Sequence, residues 1–185
     1  MLTIETKTLT DQVAARAPAL MEALEILKEE NARAEGPLFG KLDLDRLGLM
    51  GWSMGGGATW INISEHPELK AAVSLAGHIS TYGTTAFAAS ITVPILMLAG
   101  ALDQAILGGR MSQPFYDAVP ATTSKMLYEV ANGDHYFANT PSGNGGAVGR
   151  YALSWYKVFL EGDERYRTFL LAVGPNSSDF RSTLE

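Results

Sequence analysis

The 185-residue chain predicts an α/β fold, a mostly parallel sheet with helices on both faces. Three observations carry that expectation. Apolar runs of strand length alternate with longer segments of helical periodicity. The run TVPILMLAG at 92–100 is apolar on successive residues, as a central strand buried on both faces requires. Strands separated by helices connect by crossovers, and crossovers make parallel neighbours.

In chain order, residues 2–6 alternate apolar and polar as a short strand would, and a helix follows over 17–30. There Leu20, Leu24 and Leu27 recur at helical spacing, and Pro18 falls in the first turn, where no intrahelical N–H is needed. After the turn-rich EGPLFGKLDLD, residues 47–52 form a compact apolar strand. A helix over 55–64 ends before Pro67. LKAAVSLAG at 69–77 is a buried strand, 78–91 a Gly/Ser/Thr-rich loop, and 92–100 the strongest strand. A short helix over 114–119 precedes a strand over 125–130. The loop ANGDHYFANTPSGNGG leads into a helix over 147–160, with Tyr151, Trp155 and Phe159 on one core-facing stripe, and a last short helix covers 164–171. The glycines of GNGGAVG follow a loop rather than a strand, so they mark a helix start and not a dinucleotide fingerprint.

Composition narrows the classes. A length of 185 residues suits one domain, 1–185, with a real core. The formal charge of −6 and the lack of a Lys/Arg cluster argue against a nucleic-acid partner. Cysteine is absent, which excludes a thiolate nucleophile and cysteine-based metal sites, and three histidines give no ligand cluster, so neither metal nor cofactor is expected. No window approaches the apolar length of a membrane span, and residues 1–12 show no signal-peptide pattern; localisation stays open.

The chemistry concentrates in loops beyond the carboxyl ends of three strands, where α/β sheets collect functional groups. MGWSMGGGATW at 50–60 places Ser53 in a G-x-S-x-G setting between strand and helix, a turn that exposes a serine hydroxyl. Asp103 follows the 92–100 strand and His135 the 125–130 strand. A serine hydroxyl is a weak nucleophile until an imidazole takes its proton, and the imidazole needs a carboxylate to fix its tautomer. The order Ser, Asp, His is that of α/β-hydrolases. A helix starting at Met54 aims a free backbone N–H and a positive dipole end at a developing oxyanion.

The segments GWSMGGG, KAAVSLAG, VPILMLAGALD, GDHYFAN, WYKVFLEGDERYRTFL and SDFRSTLE resemble, in order, segments of the bacterial cutinase and poly(ethylene terephthalate) hydrolase family. The likeness covers nearly the whole chain. It implies an α/β-hydrolase fold and a cofactor-independent esterase acting on cutin-like or polyester bonds through an acyl-enzyme. It also implies Ser53 as nucleophile, His135 as general base, Asp103 as its orienter and the Met54 N–H as an oxyanion donor. Trp52 and Met54 would line the acyl side of the cleft, and Tyr136 its rim.

The sequence departs from the family chiefly at its front, where relatives carry further strands and a loop with the second oxyanion donor. The missing neighbour leaves two expectations: re-pairing of strands 2–6 and 47–52, or a free edge that drives self-association. His78 stands where relatives often carry a substrate-stacking tryptophan, Ala131 where some carry a calcium-binding aspartate, and Leu171 and Leu184 where relatives have a disulfide, so an apolar contact is expected in its place. Two other outcomes stay open: a small-ester hydrolase without polymer activity, or a catalytically silent shortened fold acting as a subunit or binding module.

Overall fold

The computed structural model describes residues 1–6, 8, 10–79, 85–104, 111–140 and 144–185. Parts of the expected 78–91 and 131–146 loops, and Gly143 of GNGGAVG, lie outside the described residues. The elements run α1 (Val13–Ala32), β1 (Gly48–Trp52), α2 (Met54–Glu65), β2 (Ala71–Leu75), β3 (Ile95–Gly100), α3 (Ser112–Ala118), β4 (Lys125–Val130), α4 (Ala147–Phe159), α5 (Arg167–Leu171) and β5 (Ser177–Ser182). The sheet has the order β1-β2-β3-β4-β5. β1 to β4 are parallel and β5 pairs antiparallel with β4. This is the mostly parallel sheet of an α/β-hydrolase fold.

Strand alternation divides the core in two. On β3, Ile95, Met97 and Ala99 join Trp60, Ile63 and Phe115 on the α1–α3 face. Leu96 and Leu98 point the other way, against Tyr151 and Trp155 of α4. Trp60 and Phe115 stack with ring centroids 4.0 Å apart and are almost fully buried. Both faces being covered explains why β3 and β4 are buried at every residue. The polar residues of β4 are satisfied inside. Lys125 Nζ donates to the Tyr116 and Val119 carbonyls at 2.7 and 2.5 Å, closing the end of α3. Glu129 accepts from Ser178 Oγ at 2.7 Å and from Gln113 Nε2 at 3.3 Å.

Four expectations need correction. Residues 2–6 form no strand; they run as irregular, mostly exposed chain, and β1 has β2 as its sheet neighbour. Two-residue periodicity alone does not make a strand, and these residues do not add to the open edge of β1. α1 begins at Val13, which puts Pro18 inside the helix rather than in its first turn. The proline removes the bond to the Ala14 carbonyl, while Asn62 Nδ2 of α2 donates to the Ala17 carbonyl at 2.9 Å and fastens the two helices. β5 was not expected. SSDFRS offers one apolar residue, and what holds it is cross-strand chemistry: Phe180 opposite Tyr128, and Gln113 bridging Glu129 and Asp179. Finally, Leu184 packs on the α4-side core with buried Leu170 in the same cluster, whereas Leu171 is 42% exposed and outside it.

Candidate active site

At the end of β1 the chain turns into α2 through Ser53, whose φ of 55° and ψ of −122° are strained for a residue with a side chain. Three main-chain bonds hold that strain. Ser53 N–H donates to the Leu75 carbonyl at 2.9 Å, and the Ser53 carbonyl accepts from Gly57 N–H and His78 N–H, both at 3.0 Å. The turn also needs three absent side chains. A Cβ on Gly51 would lie 2.1 Å from the Gly55 carbonyl oxygen, one on Gly56 2.8 Å from Gly77 Cα, and one on Gly57 2.0 Å from the His78 carbonyl oxygen. Gly55, the second glycine of the motif, has nothing within 4 Å of its Cβ position. Close approach therefore accounts for glycine at 51, 56 and 57 and not at 55.

Asp103 sits past β3 in a turn tied to the loop after β4: Ala101 N–H donates to the Val130 carbonyl and Leu102 N–H to the Gly133 carbonyl, at 2.9 and 2.8 Å. That second loop presents His135. Its Asp134 accepts from Tyr136 N–H at 2.8 Å, an Asx turn. The three side chains converge. His135 Nδ1 is 2.7 Å from Asp103 Oδ2, and His135 Nε2 is 2.9 Å from Ser53 Oγ. Asp103 and His135 are buried, at 9% and 8% exposure, while Ser53 is half-buried. An imidazole held between a carboxylate and a hydroxyl in a water-poor setting can accept the hydroxyl proton and be stabilised as a cation.

The remaining candidates surround this chain of bonds. Met54 is the first residue of α2, so its N–H has no carbonyl within the helix to bond. Its half-buried side chain packs against the cluster of Val13, Ala17 and Ala58. Tyr136 is 57% exposed, as a rim residue would be. Trp52 lies 4.9 Å from the His135 ring and 5.5 Å from Tyr136, centroid to centroid, and its Nε1 donates to the His135 carbonyl at 3.0 Å. The family resemblance implied Trp52 at the cleft, but nothing in the sequence signals that bond, which joins residues far apart in the chain. The role of the His78 main chain in fixing Ser53 was equally invisible.

His78 is half-buried, and its Nδ1 is buried with no hydrogen-bond partner among the described residues. Desolvation and the neighbouring His135 push its pKa below the ordinary imidazole value, with Asp103 partly opposing them. A folded value below the unfolded one means that the unfolded chain takes up this proton first. The stability linked to it is complete above about pH 6.5 and is lost as pH falls through the lower folded value. Thermal melts of the protein and of His78→Phe between about pH 7.5 and pH 5 check this. The variant should lose less stability on acidification; parallel curves would contradict it.

Among the described residues no group of three or more His, Asp or Glu side chains could hold a metal ion, and no helix is long and apolar enough to cross a membrane.

Comparison with known proteins gives a consistent picture. The chain is 34% identical over 181 residues to Cutinase 1 of Thermobifida cellulosilytica, covering 97% of this chain and 64% of that protein. It is likewise 34% identical over 181 residues to a cutinase of Thermobifida fusca, covering 56% of it. Bis(hydroxyethyl) terephthalate hydrolase of Streptomyces coelicolor is 31% identical over 170 residues, with 51% of its length covered. The chain thus spans between about half and two thirds of these relatives. A family description, PET hydrolase-like, matches residues 1–184, and so the chain belongs to the PET hydrolase-like family, among whose relatives are these cutinases.

Proposed function

We propose that this chain carries the reacting centre of a serine carboxylester hydrolase of the cutinase and polyester hydrolase type. The observation that supports the reading is the hydrogen-bonded series Ser53 Oγ, His135 Nε2, His135 Nδ1, Asp103 Oδ2. Ser53 Oγ attacks the ester carbonyl carbon as its proton passes to His135 Nε2. Asp103 accepts from Nδ1–H, keeps the attacking tautomer and stabilises the imidazolium. The tetrahedral oxyanion receives the Met54 N–H at the positive end of α2. Collapse breaks the bond to the alkoxy oxygen, which leaves as the alcohol with the proton from Nε2. Water then gives a proton to His135, attacks the acyl-enzyme and releases the acid, restoring Ser53. Trp52, His78 and Tyr136 form the substrate-facing surround. No step calls for a metal or cofactor.

Turnover of p-nitrophenyl butyrate, of bis(hydroxyethyl) terephthalate and of a polyester film tests the reading. Release of product from all three is expected. Cleavage of the short esters alone would reduce the function to small-ester hydrolysis, and cleavage of none would sink it.

We further propose that a second copy of the chain covers β1. Parallel pairing with β2 leaves alternate main-chain groups of β1 pointing away from it, and Met50 on that strand is 41% exposed. Sedimentation across concentration should show a dimer that Met50→Lys weakens; a monomer at every concentration overturns the proposal.

A further inference from the structure

Histidine-bearing loops face a distance problem in this sheet. Ser53 follows β1 and His135 follows β4, with β2 and β3 between them. At about 4.8 Å per strand, the two strand ends lie roughly 14 Å apart. The loop after β4 must lean back across the sheet to bring Nε2 within 2.9 Å of Ser53 Oγ. Partway across, this loop is held by the turn after β3, through the bonds from Ala101 and Leu102 N–H. Those bonds draw it in the direction of β1 but anchor it only as far as β3.

The hold over the remaining distance comes from Trp52. Its indole Nε1 donates to the His135 main-chain carbonyl at 3.0 Å, from the strand residue next to Ser53. Among the described residues this is the bond between the end of β1 and the main chain of the histidine loop. The indole also leans against the His135 ring, with planes 44° apart. One side chain thus restrains both the backbone and the ring of His135 from the Ser53 side.

We propose that Trp52 is a positioning residue whose indole N–H sets the distance between His135 and Ser53, an inference that rests on the serine-hydrolase reading above. The donor acts through His135, in both acylation and deacylation. Removing it lets the loop relax toward β3 and lengthens the Oγ–Nε2 contact, and a shift on the order of 1 Å can lower a rate by about 10²-fold. Ground-state ester binding does not use this bond, so the loss belongs in kcat rather than KM.

The test replaces residue 52 by β-(3-benzothienyl)alanine, which keeps the bicyclic shape but has sulfur where the indole has N–H, with Trp52→Phe as a second variant. On p-nitrophenyl butyrate, the sulfur analogue should lower kcat by about 5- to 20-fold, the size of one lost hydrogen bond amplified by misplacement, with KM unchanged within about twofold, whereas Trp52→Phe also alters the substrate-facing surface and is read by the His135 resonances. The ¹⁵N resonances of His135, followed through pH, should show a changed Nε2 environment in both variants while the folded spectrum elsewhere is kept. An unchanged kcat with the sulfur analogue, or a rise in KM alone, overturns the proposal. If the native protein turns over no ester, the enzyme reading fails separately. The positioning claim is then decided by the His135 resonances, whose indifference to the substitution would overturn it.

Discussion

Ser53→Ala abolishes most ester turnover: kcat for p-nitrophenyl butyrate falls by roughly 10⁴- to 10⁶-fold, the range seen when the nucleophile of a serine–histidine–aspartate site is removed. The loss is large because the oxygen that forms the acyl-enzyme is gone, and His135 has nothing to deprotonate but water. The fold should survive. Ser53 is held by its main-chain N–H and carbonyl, which alanine retains, and only its Oγ faces His135. Alanine does meet the same positive φ of 55°, so a small stability change is expected and a thermal melt records it. Comparison of single-turnover rates and melts checks both halves. Equal turnover by the two proteins would remove Ser53 from the chemistry, and the esterase proposal with it.

The two glycines of G-x-S-x-G should answer alanine in opposite ways. At Gly51 the added Cβ meets the Gly55 carbonyl oxygen at 2.1 Å, a backbone atom that cannot rotate aside. Relief requires β1 and the start of α2 to separate, and overpacking of this kind destabilises by about 3 kcal/mol or more. For a chain of this size that lowers the midpoint by roughly 6–12 °C. It also displaces Ser53, so activity falls with stability. Gly55 lies inside the first turn of α2 with open space at its Cβ position. There alanine gains helix propensity and should raise stability by up to about 1 kcal/mol. Calorimetry of both variants decides the matter; a stable Gly51→Ala, or a strongly destabilised Gly55→Ala, would show that the close approach is not what the motif provides.

Much of this protein was legible before any coordinates. Apolar runs such as ILMLAG on β3 identify strands buried on both faces, because burial on both sides leaves no polar alternation to observe. Strand–turn–helix around Ser53 and the placement of Asp103 and His135 after their strands follow from the same local patterning. The sequence also pointed to the family through segments spread along its length.

What local patterning misled about is equally specific. Residues 2–6 alternate like a strand, yet a strand exists only when it pairs, and they do not pair with the sheet's edge strand β1. SSDFRS lacks an apolar run and is nonetheless a strand, since its main chain pairs with β4 and Gln113 joins its Asp179 to Glu129. Gly51 and Gly55 look alike in a motif and differ wholly in space.

By itself, then, the sequence determined the alternation of strands and helices, the sheet's buried centre and the three residue types that loops would offer at its carboxyl end. Tertiary structure alone decided their meeting distances, the bond from Trp52 to the His135 carbonyl and the desolvation of His78. The physical reason is range: propensity and burial act between near neighbours along the chain, whereas these contacts join residues tens of positions apart and exist only once the sheet has assembled them.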